Sequence, residues 1–140
     1  MDVDALIETL GLVPHPEGGL FVETWRDPDR EGRRGSGTAI YFLLRKGERS
    51  HWHRIDATEI WHFYAGAPLE LSIASPEEAS ETFTLGTDFS AGQVPQVIVS
   101  PHAWQSARST GEYSLVGCTV SPAFRFDTFE LAAPLWSPQG

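Results

Sequence analysis

"SHWHRIDATEIWHFYAG", residues 50–66, carries three of the five histidines in a chain of 140 residues. His51 and His53 are two apart. On a strand, side chains at i and i+2 share a face, roughly 6.5–7 Å apart. Glu59 follows beyond Ile55-Asp56-Ala57-Thr58, and a turn there would bring its carboxylate alongside. Two imidazoles and a carboxylate on one side of an ion form the facial arrangement of non-haem iron and manganese sites, which leaves positions open for substrate. A bare His-x-His also reads more plainly, as a histidine pair held by hydrogen bonds. After Glu59 the residues alternate: Glu59, Trp61 and Phe63 against Ile60, His62 and Tyr64. One set must face the interior of a β layer. An inward Glu59 sends His62 outward unless a bulge intervenes.

Outward from this stretch the chain breaks into short candidate strands. They run near 20–26, 38–45, 50–54, 59–64, 69–74, 81–85, 96–99, 104–108, 113–121 and 128–131, separated by Gly, Pro, Asp and Ser. That spacing of turn signals predicts an all-β sandwich or barrel. Before it, Val3, Leu6, Ile7 and Leu10 mark one face of a short helix, with Asp2 or Asp4 to cap it and Gly11 to end it. The polar segment DPDREGRRGSG (27–37) reads as a mobile loop or lid. Nothing divides the chain, so residues 1–140 read as one domain.

Bulk properties narrow the partners. A formal charge of −9 argues against a nucleic-acid or anionic-membrane binder, since both need a basic surface. The N-terminal apolar run is too short for a membrane span. The single cysteine, Cys118, rules out an intrachain disulfide and suits a reducing cytoplasm. It reads as a small core residue.

The order Gly47, His51, His53, Glu59, Gly66 resembles the first motif of the cupin superfamily. Ser100, His102 and Gln105 stand where the second motif usually reads Pro-x-Gly-x-x-His, so a glutamine occupies the usual metal-histidine position. Together, HPEGGLFVETW (15–25), TAIYFLL (38–44), SHWHRIDATEIWHFYAGAPLEL (50–71), the segment 95–108 and YSLVGCTVSPAFRFDTFELA (113–132) resemble one cupin subfamily of unknown function found in bacteria, fungi and plants. The resemblance implies an all-β, double-stranded β-helix (a cupin jelly roll) and a homodimer. It implies a metal site at His51, His53, Glu59 and Gln105 for a divalent ion (Fe, Mn, Ni or Zn). An amide oxygen is a weaker ligand than an imidazole, so occupancy is expected to be partial.

HPEGGLFVET also resembles the N-terminal strand of the dTDP-sugar 3,5-epimerases, also cupins, in which a Gly-x-Phe-x-Glu pattern helps hold the nucleotide. Gly19, Phe21 and Glu23 match it. Phe21, Glu23 and Trp25 would share one strand face and form a slot for a planar group. The expected substrate-binding residues are His15, Glu17, Phe21, Glu23, Trp104 and Arg108, with Arg108 aimed at the barrel mouth. The expected catalytic residues are His51, His53, Glu59, His62 and Tyr64, histidine serving as base near neutral pH. The reading is a small-molecule enzyme with epimerase- or isomerase-like acid–base chemistry on a polar, sugar-like or nucleotide-linked substrate, metal optional. The alternative is a non-catalytic small-molecule binder.

Overall fold

The structure is a computed structural model that describes residues 1–75 and 79–138. Helix α1 (Val3–Leu10) leads into β1 (Val13–Pro14), β2 (Leu20–Arg26), β3 (Thr38–Arg45), β4 (Arg49–Arg54) and β5 (Thr58–Gly66). Then come β6 (Leu69–Ala74), β7 (Glu81–Leu85), β8 (Gln96–Val99), β9 (Trp104–Ser109), β10 (Tyr113–Ser121) and β11 (Glu130–Leu131). A six-stranded sheet runs β1-β2-β3-β10-β5-β8, and a five-stranded sheet runs β11-β4-β9-β6-β7. All of the strand pairs are antiparallel. This is a β-sandwich, as the strand spacing allows, wound as the jelly roll that the cupin resemblance implies.

Alternation places the core. Phe42, Leu44, Trp61, Leu71, Leu85 and Val116 are buried in one cluster drawn from both sheets. Each is apolar, and its removal from water supplies the main favourable term of folding. The Asp2 side chain accepts the Ala5 N–H at 2.8 Å, and Gly11 ends α1 in a left-handed conformation, as the cap residues predict. Leu6, Ile7 and Leu10 then cover Leu20, Leu43 and Leu115 in a separate cluster away from the main core.

Two irregularities decide which side chains reach the interior. The register of β4 on β9 shifts between Ser50 and His53, and that of β2 on β3 shifts between Glu23 and Trp25. The segment 15–19 crosses β4, where the His51 N–H donates to the Glu17 carbonyl at 2.8 Å. Gly18 (φ 107°) makes this crossing feasible, because a Cβ there would strike the Arg49 carbonyl.

The segment 27–37 is not a free lid. Arg34 makes two bonds to Asp56, at 2.8 and 2.9 Å, and a third to the Ala123 carbonyl. Asp29 accepts the Gly35 N–H and Asp27 the Ser36 N–H. The chain end differs too: a 3-10 turn at Phe126–Thr128 precedes the two-residue β11, where one longer strand was expected.

Candidate functional site

A cavity of about 460 Å³, measured out to its open mouth, lies between the sheets. Glu17, His15, His53 and Glu59 supply its polar groups. Phe21, Ile40, Ile55, Cys118 and Val120 form apolar wall, and Phe124, Phe126 and Phe129 close it. Glu23 also lines it, held by two bonds from Arg26 at 2.8 and 2.9 Å.

The centre of this group is Glu17, whose side chain is 9% exposed. Its Oε2 accepts from the Ser50 hydroxyl. Its Oε1 lies 3.3 Å from His15 Nδ1 and 3.6 Å from His53 Nε2. Hydrogen-bond partners assign both tautomers. His15 Nδ1 accepts the Glu17 backbone N–H at 3.1 Å, so its ring hydrogen is on Nε2. His53 Nδ1 is 2.8 Å from the His51 carbonyl, which can only accept, so that nitrogen carries the hydrogen and Nε2 is a lone pair. The His15 lone pair is taken by the Glu17 N–H, so the free lone pair facing the carboxyl is that of His53 Nε2, an arrangement that favours a proton on Glu17.

The electrostatics agree. Burial pushes the Glu17 carboxyl up to about 8 against the lowering effect of the Ser50 bond. His15 is pushed down to about 4 by burial and by the charge of His53. Burial also lowers His53, with Glu59 countering. Both rings are thus neutral near pH 7, because burial disfavours each charged form.

Glu59 is oriented by a relay. Trp61 Nε1 donates to Gln105 Oε1 at 2.7 Å, and Gln105 Nε2 donates to Glu59 Oε1 at 2.8 Å. An indole N–H can only donate, so it fixes which way round the Gln105 amide sits. Burial raises Glu59 to about 7, while His53 and the Gln105 bond favour its ionised form and Glu17 opposes it. Cys118 lines the same wall, and burial raises its thiol well above the ordinary range, so it is no thiolate nucleophile.

The remaining expected residues lie elsewhere. The bulge in β4 turns His51 away from the cavity, and its Nε2 meets the Ala133 carbonyl at 2.8 Å. His62 bonds Thr119 and Gln96, and Tyr64 is 52% exposed beside Tyr41; neither lines the cavity. Both belong to the set that alternates with Glu59, Trp61 and Phe63. Trp104 packs with Trp52 and Trp136 under the Arg54 guanidinium. Arg108 is exposed and pairs with Glu70 rather than aiming at the mouth. Trp25, turned by the bulge in β2, is 53% exposed and leaves Phe21 and Glu23 as the cavity-facing pair of that strand.

These positions do not suit the metal centre that the cupin motifs imply. His51 is engaged with the tail, and the Gln105 oxygen is occupied by the indole N–H, leaving only amide hydrogens toward Glu59. Among the described residues no three His, Cys, Asp or Glu side chains gather as a metal-holding group.

Glu17 was expected only as a substrate contact, yet it is the hub of the polar group. Phe124, Phe126 and Phe129 were not singled out. Their signal was the run FRFDTF, three phenylalanines in an otherwise polar stretch beyond the last long strand.

Residues 4–132 match the family described as "Cupin superfamily (DUF985)". The chain belongs to this cupin family. A crystal structure of a Shewanella oneidensis protein shares 41% identity with it at a TM-score of 0.90, covering 95% of this chain and 85% of that one. A hypothetical protein from Leishmania major shares 30% identity at a TM-score of 0.87, covering 95% and 88%. Oxalate decarboxylase from Bacillus subtilis is similar at 11% identity and a TM-score of 0.65, covering 84% of this cupin and 29% of the decarboxylase. At that identity the likeness concerns the fold alone. No curated protein matches this cupin.

Proposed function

We propose that this cupin is a metal-independent acid–base enzyme that moves a proton at a carbon beside a carbonyl of a small molecule, as epimerases and isomerases do. The observation that carries the reading is Glu17 Oε1, set in a cavity between His15 Nδ1 and His53 Nε2 at 3.3 and 3.6 Å. A carboxyl kept neutral by burial can donate a proton to a developing enolate oxygen. Glu59, held by the Gln105 amide and raised only to about 7, serves as the base. Two carboxyls whose surroundings set them apart supply an acid and a base near neutral pH. The rings of Phe124, Phe126 and Phe129 set apolar surface beside these carboxyls. The cavity favours a compact substrate over a nucleotide-linked one, because no lysine or arginine lines it to receive phosphates.

The test is hydrogen exchange in D2O. Small ketones, hydroxyketones and aminoketones are incubated with the protein, and loss of the α-proton signal is followed by NMR. Exchange above the buffer rate is expected for at least one, with Glu17→Gln and Glu59→Gln each about 100-fold slower or worse. No exchange with any of them, or exchange unaltered in both variants, would overturn the reading.

The protein is further proposed to act as a homodimer in the cytoplasm. The five-stranded sheet ends in the short strands β11 and β7, and unprotected sheet edges invite pairing. Light scattering at micromolar concentration should give twice the chain mass; a monomer would refute the dimer.

A further inference from the structure

The cavity carries a charge pattern that names the class of its ligand. Among its lining residues there is no lysine or arginine. Among the described residues, the side-chain donors to the carboxyls of Glu17 and Glu59 are uncharged: the Ser50 hydroxyl, the Gln105 amide and the Cys118 thiol. A buried carboxylate is ordinarily paired with a cation; Glu17 keeps its proton, and for Glu59, raised only to about 7, no lysine or arginine of the cavity provides one.

The walls repeat the pattern. Phe124 and Phe126 meet at 88° with centroids 4.8 Å apart, and Phe126 and Phe129 at 71° and 6.0 Å. Phe21 stands 4.5 Å from the His15 ring. A phenyl face is the negative pole of its quadrupole and attracts a cation within about 6 Å of the centroid. An ammonium group bearing carbon substituents loses little hydration among such rings, whereas a carboxylate or phosphate would meet the Glu59 carboxylate and no lysine or arginine. The net charge of −9 raises the local concentration of cations around the molecule.

We propose that this cavity takes a small organic ammonium cation, its charge set against the phenyl rings and the Glu59 carboxylate. The inference rests on the reading of the cavity as a ligand site, and it names the charge of the ligand rather than the reaction.

The experiment is calorimetric titration with choline, with ethanolamine, with 3,3-dimethylbutan-1-ol (the uncharged carbon analogue of choline) and with acetate. An ammonium probe is expected to bind at least about tenfold tighter than the alcohol, and acetate not at all. Phe126→Leu keeps an apolar side chain but removes the ring, at a residue 52% exposed, where folding is least at risk. It should weaken ammonium binding by about 2- to 30-fold and leave the alcohol within about twofold. Equal or tighter binding of the alcohol or of acetate would overturn the proposal. So would the failure of both ammonium probes to bind at about 0.1 M by protein with an intact unfolding transition. Preference for the alcohol leaves the acid–base reading standing; ammonium binding without any deuterium exchange does the reverse.

Discussion

At the scale of single residues, the clearest lesson is that a motif names positions while hydrogen bonds decide roles. Gln105 stands where the cupin pattern has a histidine, and it keeps a place in the cavity's polar group by orienting Glu59. Trp61→Phe removes the indole donor and frees the amide to turn its oxygen toward Glu59. That would leave a buried acceptor facing a carboxylate, so a stability loss of about 1–3 kcal/mol is expected. Chemical denaturation checks it, and a loss under about 0.3 kcal/mol would show that the relay does not hold the amide. His102 is a second case. It occupies the motif's glycine position at φ 70°, a left-handed conformation that costs a non-glycine residue about 1–2 kcal/mol. Glycine's greater freedom in the unfolded chain returns about half of that. His102→Gly should therefore stabilise the fold by up to about 1 kcal/mol, and a lower melting temperature would contradict it.

Among the elements, most boundaries were legible because the strands obey a period of two and end at glycine, proline or aspartate. β2, β3, β6, β7, β8 and β10 begin and end where the pattern places them. The site was less legible, for a specific reason: strand alternation assumes unbroken register. His51 and His53 share a face on an ideal strand, but the shift between Ser50 and His53 moves Ser50 and His53 toward Glu17 and sends His51 to the tail. For His62, expected among the catalytic residues, the same alternation gives the outward position the structure shows, since β5 keeps its register on β10 from Thr58 to Phe63. Glu17 lies in no strand, so no periodicity could announce it; only Gly18 and Gly19 hinted at a close crossing. Gly18→Ala tests that crossing. A methyl there meets the Arg49 carbonyl, and the loop carrying Glu17 must shift. The expected result is at least about tenfold loss of deuterium exchange in the presence of a native β-sheet signal by circular dichroism. Unchanged exchange would show that the crossing tolerates a side chain.

For the whole molecule, the buried carboxyls make stability depend on pH. Glu17 and Glu59 keep their protons in the folded state up to about 8 and about 7, against an ordinary value of 4.5. Between 4.5 and those values the folded protein binds more protons than the unfolded chain, so stability declines as pH rises. His15, lowered to about 4 from 6.5, acts in the opposite sense below pH 6.5 and adds no slope above it. The net expectation is a melting temperature that falls from pH 6.5 to 8, with a limiting slope of about 1.4 kcal/mol per pH unit for one retained proton. Glu17→Gln should flatten that slope, and a flat or rising wild-type profile would refute the assignment.

Phe124, Phe126 and Phe129 sit on the chain between β10 of one sheet and β11 of the other. Among the described residues β11 pairs only with β4, where Leu131 lies opposite His53 and Glu130 opposite Arg54. The doorway and one hem of the sandwich are therefore the same piece of chain. The expected outcome is that passage of anything bulkier than the mouth loosens this two-residue selvedge, so that residence time inside tracks the fraying of an edge rather than the strength of contacts at the floor. Amide protons bonded across that seam should exchange more slowly when the cavity is filled, and a substitution that loosens β11 should quicken both entry and escape while leaving their ratio nearly constant.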